Sequence, residues 1–307
     1  MTSMRGRFAP SPTGDVHLGT ARTALLAWLA TRAAGGHFVM RMEDLDAARV
    51  VPGAAERILA DLRWLGLDWD EGPDVGGAHA PYVQSQRLDL YRAALARLDA
   101  DGLLVRCYCS RRELAEAAAR APSAPHADDD GPRYPGTCRT LTHDRAAELA
   151  GRRAPALRFR VDAGVIGFDD TRVGRVEQDV HAVVGDFVVC RADGTPAYQL
   201  AVVVDDAAMG ITDVVRGQDL LGSTPRQIQL YQALGLPVPR FTHVPLVVDE
   251  QGARLAKRNT AAFLAAQRHN GRTPEQIVGE LAASVGIHPA GAGAISAQEL
   301  LAATSGR

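Results

Sequence analysis

Near its start the sequence runs FAPSPTGDVHLGT, from Phe8 to Thr20, and places His17 between Gly14 and Gly19 just ahead of a helical pattern. A helix N-terminus offers backbone N–H groups and a partial positive charge, so it accepts a phosphate wherever the preceding turn lets the backbone come close. Gly14 and Gly19 permit that approach, and His17 and Thr20 add side-chain donors. Donors so placed suit a reaction at an α-phosphate, where negative charge must be stabilised as one bond forms and another breaks. A plain capped helix after a proline-rich turn would use the same residue types, so HLGT alone does not separate the two readings.

A second set is Cys107, Cys109 and Cys138, with Tyr134 four residues before the last cysteine. Neighbouring thiolates repel unless a cation lies between them, and Zn²⁺ takes four ligands tetrahedrally. Three cysteines leave one position open, for which Tyr134, His126 and His143 compete. Cys190 stands in an apolar run and reads as a core residue.

The elements that must position these residues follow from pattern. Arg5 to Ala9 is strand-like, and from Leu18 the residues Ala21, Ala24, Leu25, Trp28 and Leu29 share one helical face until Gly35-Gly36. HFVMRMED reads as a buried strand, so strand, turn, helix and strand make a βαβ unit, the building block of a parallel sheet. Helices are expected from Pro52 to Trp64 and from Leu88 to Leu98. The stretch Ala121 to Pro132 is rich in Pro, Ala and Asp and predicts a mobile loop. Strands are expected at ALRFRV, GDFVVCRADG and AYQLAVVVDD, the last two joined as a hairpin by an Asp-Gly turn. From ITDVVRG the strand and helix alternation resumes, with a helix from Pro225 to Leu234, and beyond Thr273 the chain is helical.

Bulk properties narrow the class. With 307 residues and 46% hydrophobic content the chain can bury a full core. Its 34 basic and 36 acidic residues nearly cancel, so any polyanion site must be local. No run approaches the roughly 20 apolar residues of a bilayer span, and the N-terminus lacks a secretion signal's apolar core, which predicts a cytoplasmic protein with no membrane partner. Cysteines there are thiols or metal ligands rather than disulfides.

RFAPSPTGDVHLGT followed by RMEDLD resembles the opening of class I glutamyl-tRNA synthetases, and AYQLAVVVDD, DVVRGQDLLGSTPRQIQLYQALG and HVPLVVDEQGARLAKRN follow in that family's order. The resemblance runs from Arg5 to Asn259. It implies an α/β fold: a Rossmann-type class I aminoacyl-tRNA synthetase catalytic domain with an inserted, zinc-containing α+β subdomain and a short helical C-terminal segment. The expected divisions are residues 1–100 for the first half of the catalytic domain and 101–200 for the insertion, which would also contact tRNA. Residues 201–260 form its second half, with a basic loop, and 261–307 the C-terminal segment.

The resemblance also implies roles. His17, Gly19, Thr20 and Lys257 would bind ATP, with His17, Thr20 and Lys257 serving the reaction. Arg7, Ser11 and Arg216 would meet the acidic groups of glutamate, Glu43 its ammonium, and Tyr198 would complete the wall. Guanidinium suits carboxylate because it donates two parallel hydrogen bonds. The family's mobile Lys-Met-Ser-Lys-Ser loop corresponds to RLAKR, where Lys257 holds the second lysine position, Arg254 replaces the first and Ala256 replaces the serine. Positive charge is kept and a hydroxyl lost.

Fewer than fifty residues follow AKRN, too few for the anticodon-reading domain of a glutamyl-tRNA synthetase. With STPRQ and the cysteine pattern, the chain resembles the shorter glutamyl-Q tRNA(Asp) synthetases, whose Cys-x-Cys and Tyr-x-x-x-Cys zinc site would here be Cys107, Cys109, Tyr134 and Cys138. That family activates glutamate with ATP, Mg²⁺ accompanying the nucleotide, without needing tRNA. It then transfers the glutamate to queuosine in the anticodon stem-loop of tRNA(Asp). A monomer is expected. Rival expectations are a truncated glutamyl-tRNA synthetase charging a tRNA 3′ end, a nucleotidyltransferase acting on another metabolite, and a non-catalytic RNA-binding module.

Overall fold

The computed structural model describes residues 3–119, 133–247 and 262–305. The segment RLAKR with Lys257, the stretch Ala121 to Pro132 and His126 lie outside the described residues.

Strand β1 (Arg5–Phe8) leads through the Pro-Ser-Pro-Thr-Gly turn into helix α1 (Leu18–Ala33), and the chain returns on β2 (His37–Met40). β2 is parallel to β1, with Arg5 opposite His37 and Phe8 opposite Met40. The return is tight at Gly36, where a Cβ would stand 2.6 Å from the Met4 carbonyl oxygen, so a glycine is required by close approach. Helices α2 (Ala54–Trp64) and α3 (Leu88–Ala100) follow where expected, except that α2 starts two residues after Pro52, with Gly53 in the left-handed region as its N-cap.

The next stretch is of a different kind. β3 (Leu104–Cys107), α4 (Arg111–Ala119), α5 (His143–Ala150) and β4 (Ala156–Phe159) precede a hairpin of β5 (Val165–Asp170) and β6 (Gly174–Asp179). The short α6 (Val180–Val183) then leads to β7 (Phe187–Cys190), and β3, β4 and β7 form an antiparallel sheet in that order. Cys190 is buried at the end of β7, as its apolar setting predicts.

AYQLAVVVDD is not a strand. It forms helix α7 (Tyr198–Ala208), and Asp193-Gly194 makes a turn closed by a single bridge between Cys190 and Pro196. Every residue from Gln199 to Asp206 is buried. A helix enclosed on all sides carries no polar stripe, so its valine-rich sequence cannot be told from a buried strand by periodicity.

β8 (Asp213–Gly217), α8 (Thr224–Ala233) and β9 (Arg240–Val244) complete the main sheet, whose order is β2-β1-β8-β9 with all pairs parallel. One core lies where α1 and α2 meet the sheet and helices α9 (Leu264–His269), α10 (Pro274–Ala283) and α11 (Ala297–Ser305), around Leu25, Trp28, Leu62, Leu264 and Leu281. The other gathers Tyr91, Phe159, Leu200, Val203 and Tyr231 around α3, α7 and α8. The carboxyl ends of β1 and β8 lie side by side, so PSPTGDVHLGT and the residues after Val215 face one cleft.

Candidate active site

That cleft holds about 670 Å³. Arg7, Ser11, His17, Gly19, Thr20, Glu43, Tyr198 and Arg216 all line it, so residues scattered from β1 to β8 meet at one place.

His17 is the N-cap of α1, extended in backbone, and its Nδ1 accepts from the Gly19 amide at 3.2 Å. With Nδ1 accepting, a neutral His17 carries its proton on Nε2 and is a donor there. The sequence reading left the Gly19 amide for a ligand, whereas the fold engages it with the imidazole. The ring also meets Phe263 edge-on at 5.5 Å. Gly19 is not required by packing within the protein: a Cβ there would stand 3.5 Å from Val247 Cγ2 and 3.6 Å from His17 Nδ1, ordinary contacts. Thr20 and Ser11 are exposed at the cleft.

Below this rim is a buried network of charge. Arg7 donates to Asp206 (Nε to Oδ1 3.3 Å) and to the Val215 carbonyl (3.4 Å). Arg41, fully enclosed, pairs with Asp206 at 2.7 Å and with Glu43 at 3.0 Å. Burial acts against the Arg41 charge, but Asp206, Glu43 and Asp205 more than offset it and hold its pKa well above the usual value. Burial likewise opposes the Asp206 carboxylate, yet Arg7 and Arg41 bring its pKa below the ordinary range. Glu43 is pushed upward because burial outweighs Arg41 and Arg7. Asp205 faces the other way, accepting from Arg87 (2.6 Å), Gln84 (2.8 Å) and Tyr91 (2.7 Å). Sequence reasoning missed Arg41, Asp205 and Asp206, although RMED and VVVDD carry charged residues inside apolar runs, a signal of buried pairing.

Arg216 is held differently. Its Nε donates to His243 Nε2 (3.0 Å), Nη1 to Gln227 Oε1 (2.8 Å) and Nη2 to Thr224 Oγ1 (2.7 Å), and it lies over the Phe241 ring at 5.1 Å. These partners supply acceptors and a ring face but no carboxylate. Burial, countered in part by Tyr198, lowers the pKa of Arg216. A buried cation with neutral partners is poised to receive an anion.

The cysteine cluster lies apart, in its own small core. The sulfurs of Cys107, Cys109 and Cys138 fall within 4.8 Å of one another, and Cys109 and Cys138 are 3.6 Å apart. Two sulfurs at about 2.3 Å from a tetrahedral Zn²⁺ stand roughly 3.8 Å apart, so the donor set fits that ion. Hydrogen bonding with Cys138 brings the Cys107 thiol down to about 4, whereas the Cys138 thiol is pushed up by the same bond and by burial. Tyr134 Oη accepts from the Cys138 amide at 2.9 Å, and Arg158 lies 4.0 Å over its ring. Of the histidines that competed with it, His143 stands exposed at the first turn of α5, outside this group.

Comparison with known proteins adds a third kind of observation. The catalytic-domain model of the tRNA synthetases class I (E and Q) matches residues 3–304. The chain is 58% identical to the glutamyl-Q tRNA(Asp) synthetase of Symbiobacterium thermophilum, over 92% of this chain and 86% of that one. It is 46% identical to the glutamate–tRNA ligase of Heliobacterium modesticaldum over 91% of this chain, and spans 55% of that protein's length. The crystal structure of glutamate–tRNA synthetase from Elizabethkingia anophelis superposes with a TM-score of 0.85 at 29% identity, covering 98% of this chain and 65% of that one. Among the described residues no helix is long and apolar enough to cross a membrane.

Proposed function

The chain belongs to the class I tRNA synthetases for glutamate and glutamine, and on that premise we propose that it joins glutamate to ATP as glutamyl-adenylate and passes the glutamate to queuosine in the anticodon loop of tRNA(Asp). The observation that carries the glutamate assignment is Arg216, a buried cation lining the cleft whose side-chain partners are all neutral. The higher identity to a protein named glutamyl-Q tRNA(Asp) synthetase than to a glutamate–tRNA ligase supports the choice of acceptor.

In this reading Arg7, Ser11 and Arg216 receive the carboxylates, Glu43 faces the ammonium and Tyr198 closes the wall. The α-carboxylate oxygen attacks the α-phosphorus, and the bond to pyrophosphate breaks. His17 Nε2–H, Thr20 and the N-terminus of α1 stabilise the charge that develops there. Lys257, with Arg254, supplies positive charge beside the leaving pyrophosphate. A cyclopentene hydroxyl of queuosine then attacks the activated carbonyl, AMP departs and the hydroxyl proton is released. No protein nucleophile takes part, so positioning and charge stabilisation carry the rate. Mg²⁺ bound with ATP would shield the charge of its phosphates. Zn²⁺ would be held by Cys107, Cys109, Cys138 and Tyr134, tying β3 to the segment before α5.

The test is labelled glutamate with ATP and tRNA(Asp), with and without queuosine, followed by mapping of the labelled nucleotide. Label on the anticodon loop, present only with queuosine, is the expected result; label on the 3′ adenosine overturns the choice of acceptor. Glutamate-dependent exchange of pyrophosphate into ATP without tRNA is expected, and its loss in Arg216→Ala checks the pocket.

A further inference from the structure

Arg216 carries five N–H donors, and three of them are taken, one each by His243, Gln227 and Thr224. Among the described residues this leaves one N–H on each Nη for an incoming acceptor. The three acceptors together set the orientation of the guanidinium, and one of them holds Nε.

His243 grips it, and does so from a second layer. It sits on β9, fully buried, with Nδ1 2.7 Å from Asp170 Oδ2. Asp170 ends β5 of the hairpin, and it also accepts from the backbone N–H groups of His243 (3.0 Å), Val173 (2.8 Å) and Arg172 (3.0 Å). Three backbone N–H groups converge on this one carboxylate and keep it ionised, so it has no proton to give to Nδ1. The imidazole proton must then lie on Nδ1, which leaves Nε2 a lone pair for Arg216. The hairpin is anchored to β9 independently, since Thr171 donates through N and Oγ1 to the Phe241 carbonyl, both at 3.0 Å.

We propose that His243, locked by Asp170 as the Nδ1–H tautomer, is a positioning residue that aims Arg216 at a carboxylate of the amino-acid substrate and makes the pocket prefer glutamate to glutamine. This rests on the reading of Arg216 as part of the glutamate pocket. A carboxylate in place of the imidazole would hold the guanidinium equally well but would neutralise it, and the substrate's own charge would gain less from binding. A neutral acceptor orients the cation and leaves its charge to the ligand. Burial and the neighbouring Arg216 both disfavour an imidazolium at this position, consistent with the neutral ring.

The experiment is glutamate-dependent pyrophosphate exchange by the full chain, with KM measured separately for glutamate and ATP, on wild type, His243→Phe and His243→Gln. The phenylalanine keeps a ring stacked on Phe241 and removes the acceptor, and should raise the glutamate KM roughly 30-fold while the ATP KM stays within about twofold. Preference for glutamate over glutamine should fall with it, and His243→Gln, which restores an acceptor, should recover most of the loss. An unchanged glutamate KM in His243→Phe, or equal rises for both substrates, overturns the proposal. If the wild type itself shows no glutamate-dependent exchange, the reading of the pocket fails instead. Nitrogen-15 NMR of the wild-type histidines needs no variant: a neutral His243 protonated on Nδ1 is expected, and protonation on Nε2 at neutral pH sinks the tautomer lock.

Discussion

Arg41 and Asp206 form an ion pair with no solvent contact to speak of, Nη1 to Oδ1 2.7 Å, joining the residue after β2 to the last turn of α7. Arg7 shares the same carboxylate. Replacing Asp206 by asparagine leaves two buried guanidiniums short of a counter-charge, an arrangement that costs about 3–5 kcal/mol. Urea denaturation should show a loss of that order, and a change below about 1 kcal/mol would mean that the pair is not carrying the junction.

Gly19→Ala separates the needs of the protein from those of its ligand. The added methyl meets only ordinary contacts with Val247 and His17. Alanine is favoured over glycine within a helix by roughly 0.5–1 kcal/mol, so the melting temperature should hold or rise slightly. Both contacted residues line the cleft, so the methyl stands where phosphates are proposed to bind, and the ATP KM in pyrophosphate exchange should rise about tenfold or more. An unaltered ATP KM would move the nucleotide away from the N-terminus of α1.

Acid should weaken the fold through His243. Burial first, and then Arg216, push its pKa down to about 4, below the roughly 6.5 of an unfolded histidine. Its contribution is complete above pH 6.5 and is lost as pH falls towards 4, because the unfolded chain takes up the proton first. Asp170, whose backbone N–H partners and His243 outweigh burial and lower its pKa, adds a further loss in more acid solution. Glu43, raised by burial, acts in the opposite direction. The His243 part amounts to about 2 kcal/mol between pH 7.5 and 5, and His243→Phe should lose that share of the slope in urea titrations at the two pH values.

Metal analysis of purified protein should give one zinc per chain, and Cys138→Ser should release it. The cluster has its own core and contributes nothing to the lining of the cleft. Chelation should therefore lower thermal stability while leaving the glutamate KM in pyrophosphate exchange within about twofold. Metal-free protein with unchanged melting would remove zinc from the account. Tyr134→Phe tests the fourth ligand, with a weakened zinc affinity expected.

The βαβ unit at the start was legible because a rigid turn sets β1 off from a helix with a capping histidine and β2 is a short apolar run. Tyr198 was nominated by resemblance, but the helix that carries it was mistaken for a strand, since Leu200, Val202, Val203 and Val204 are buried together. The hairpin β5–β6 went unforeseen for the converse reason. Half of its strand residues are exposed, none of β6 is buried and only Phe168 and Asp170 of β5 are, so no apolar alternation announces it. Arg216 could be picked out from VVRGQD, whereas the acceptors that orient it come from α8 and β9 and share no local motif. Contacts between distant segments leave little trace in a single sequence.

The pairing of β1 with β8, Gly6 beside Asp213, has a consequence during synthesis. The first strand leaves the ribosome with its helix and its parallel neighbour, yet the floor of the glutamate pocket cannot close until the chain beyond Asp213 emerges. Before α7 emerges Arg7 lacks Asp206, and until β8 follows the backbone edge of β1 has no strand to pair with. A nascent chain halted before α7 is thus an open half-sheet that invites chaperones, and the gain of glutamate binding should coincide with the late capture of β8.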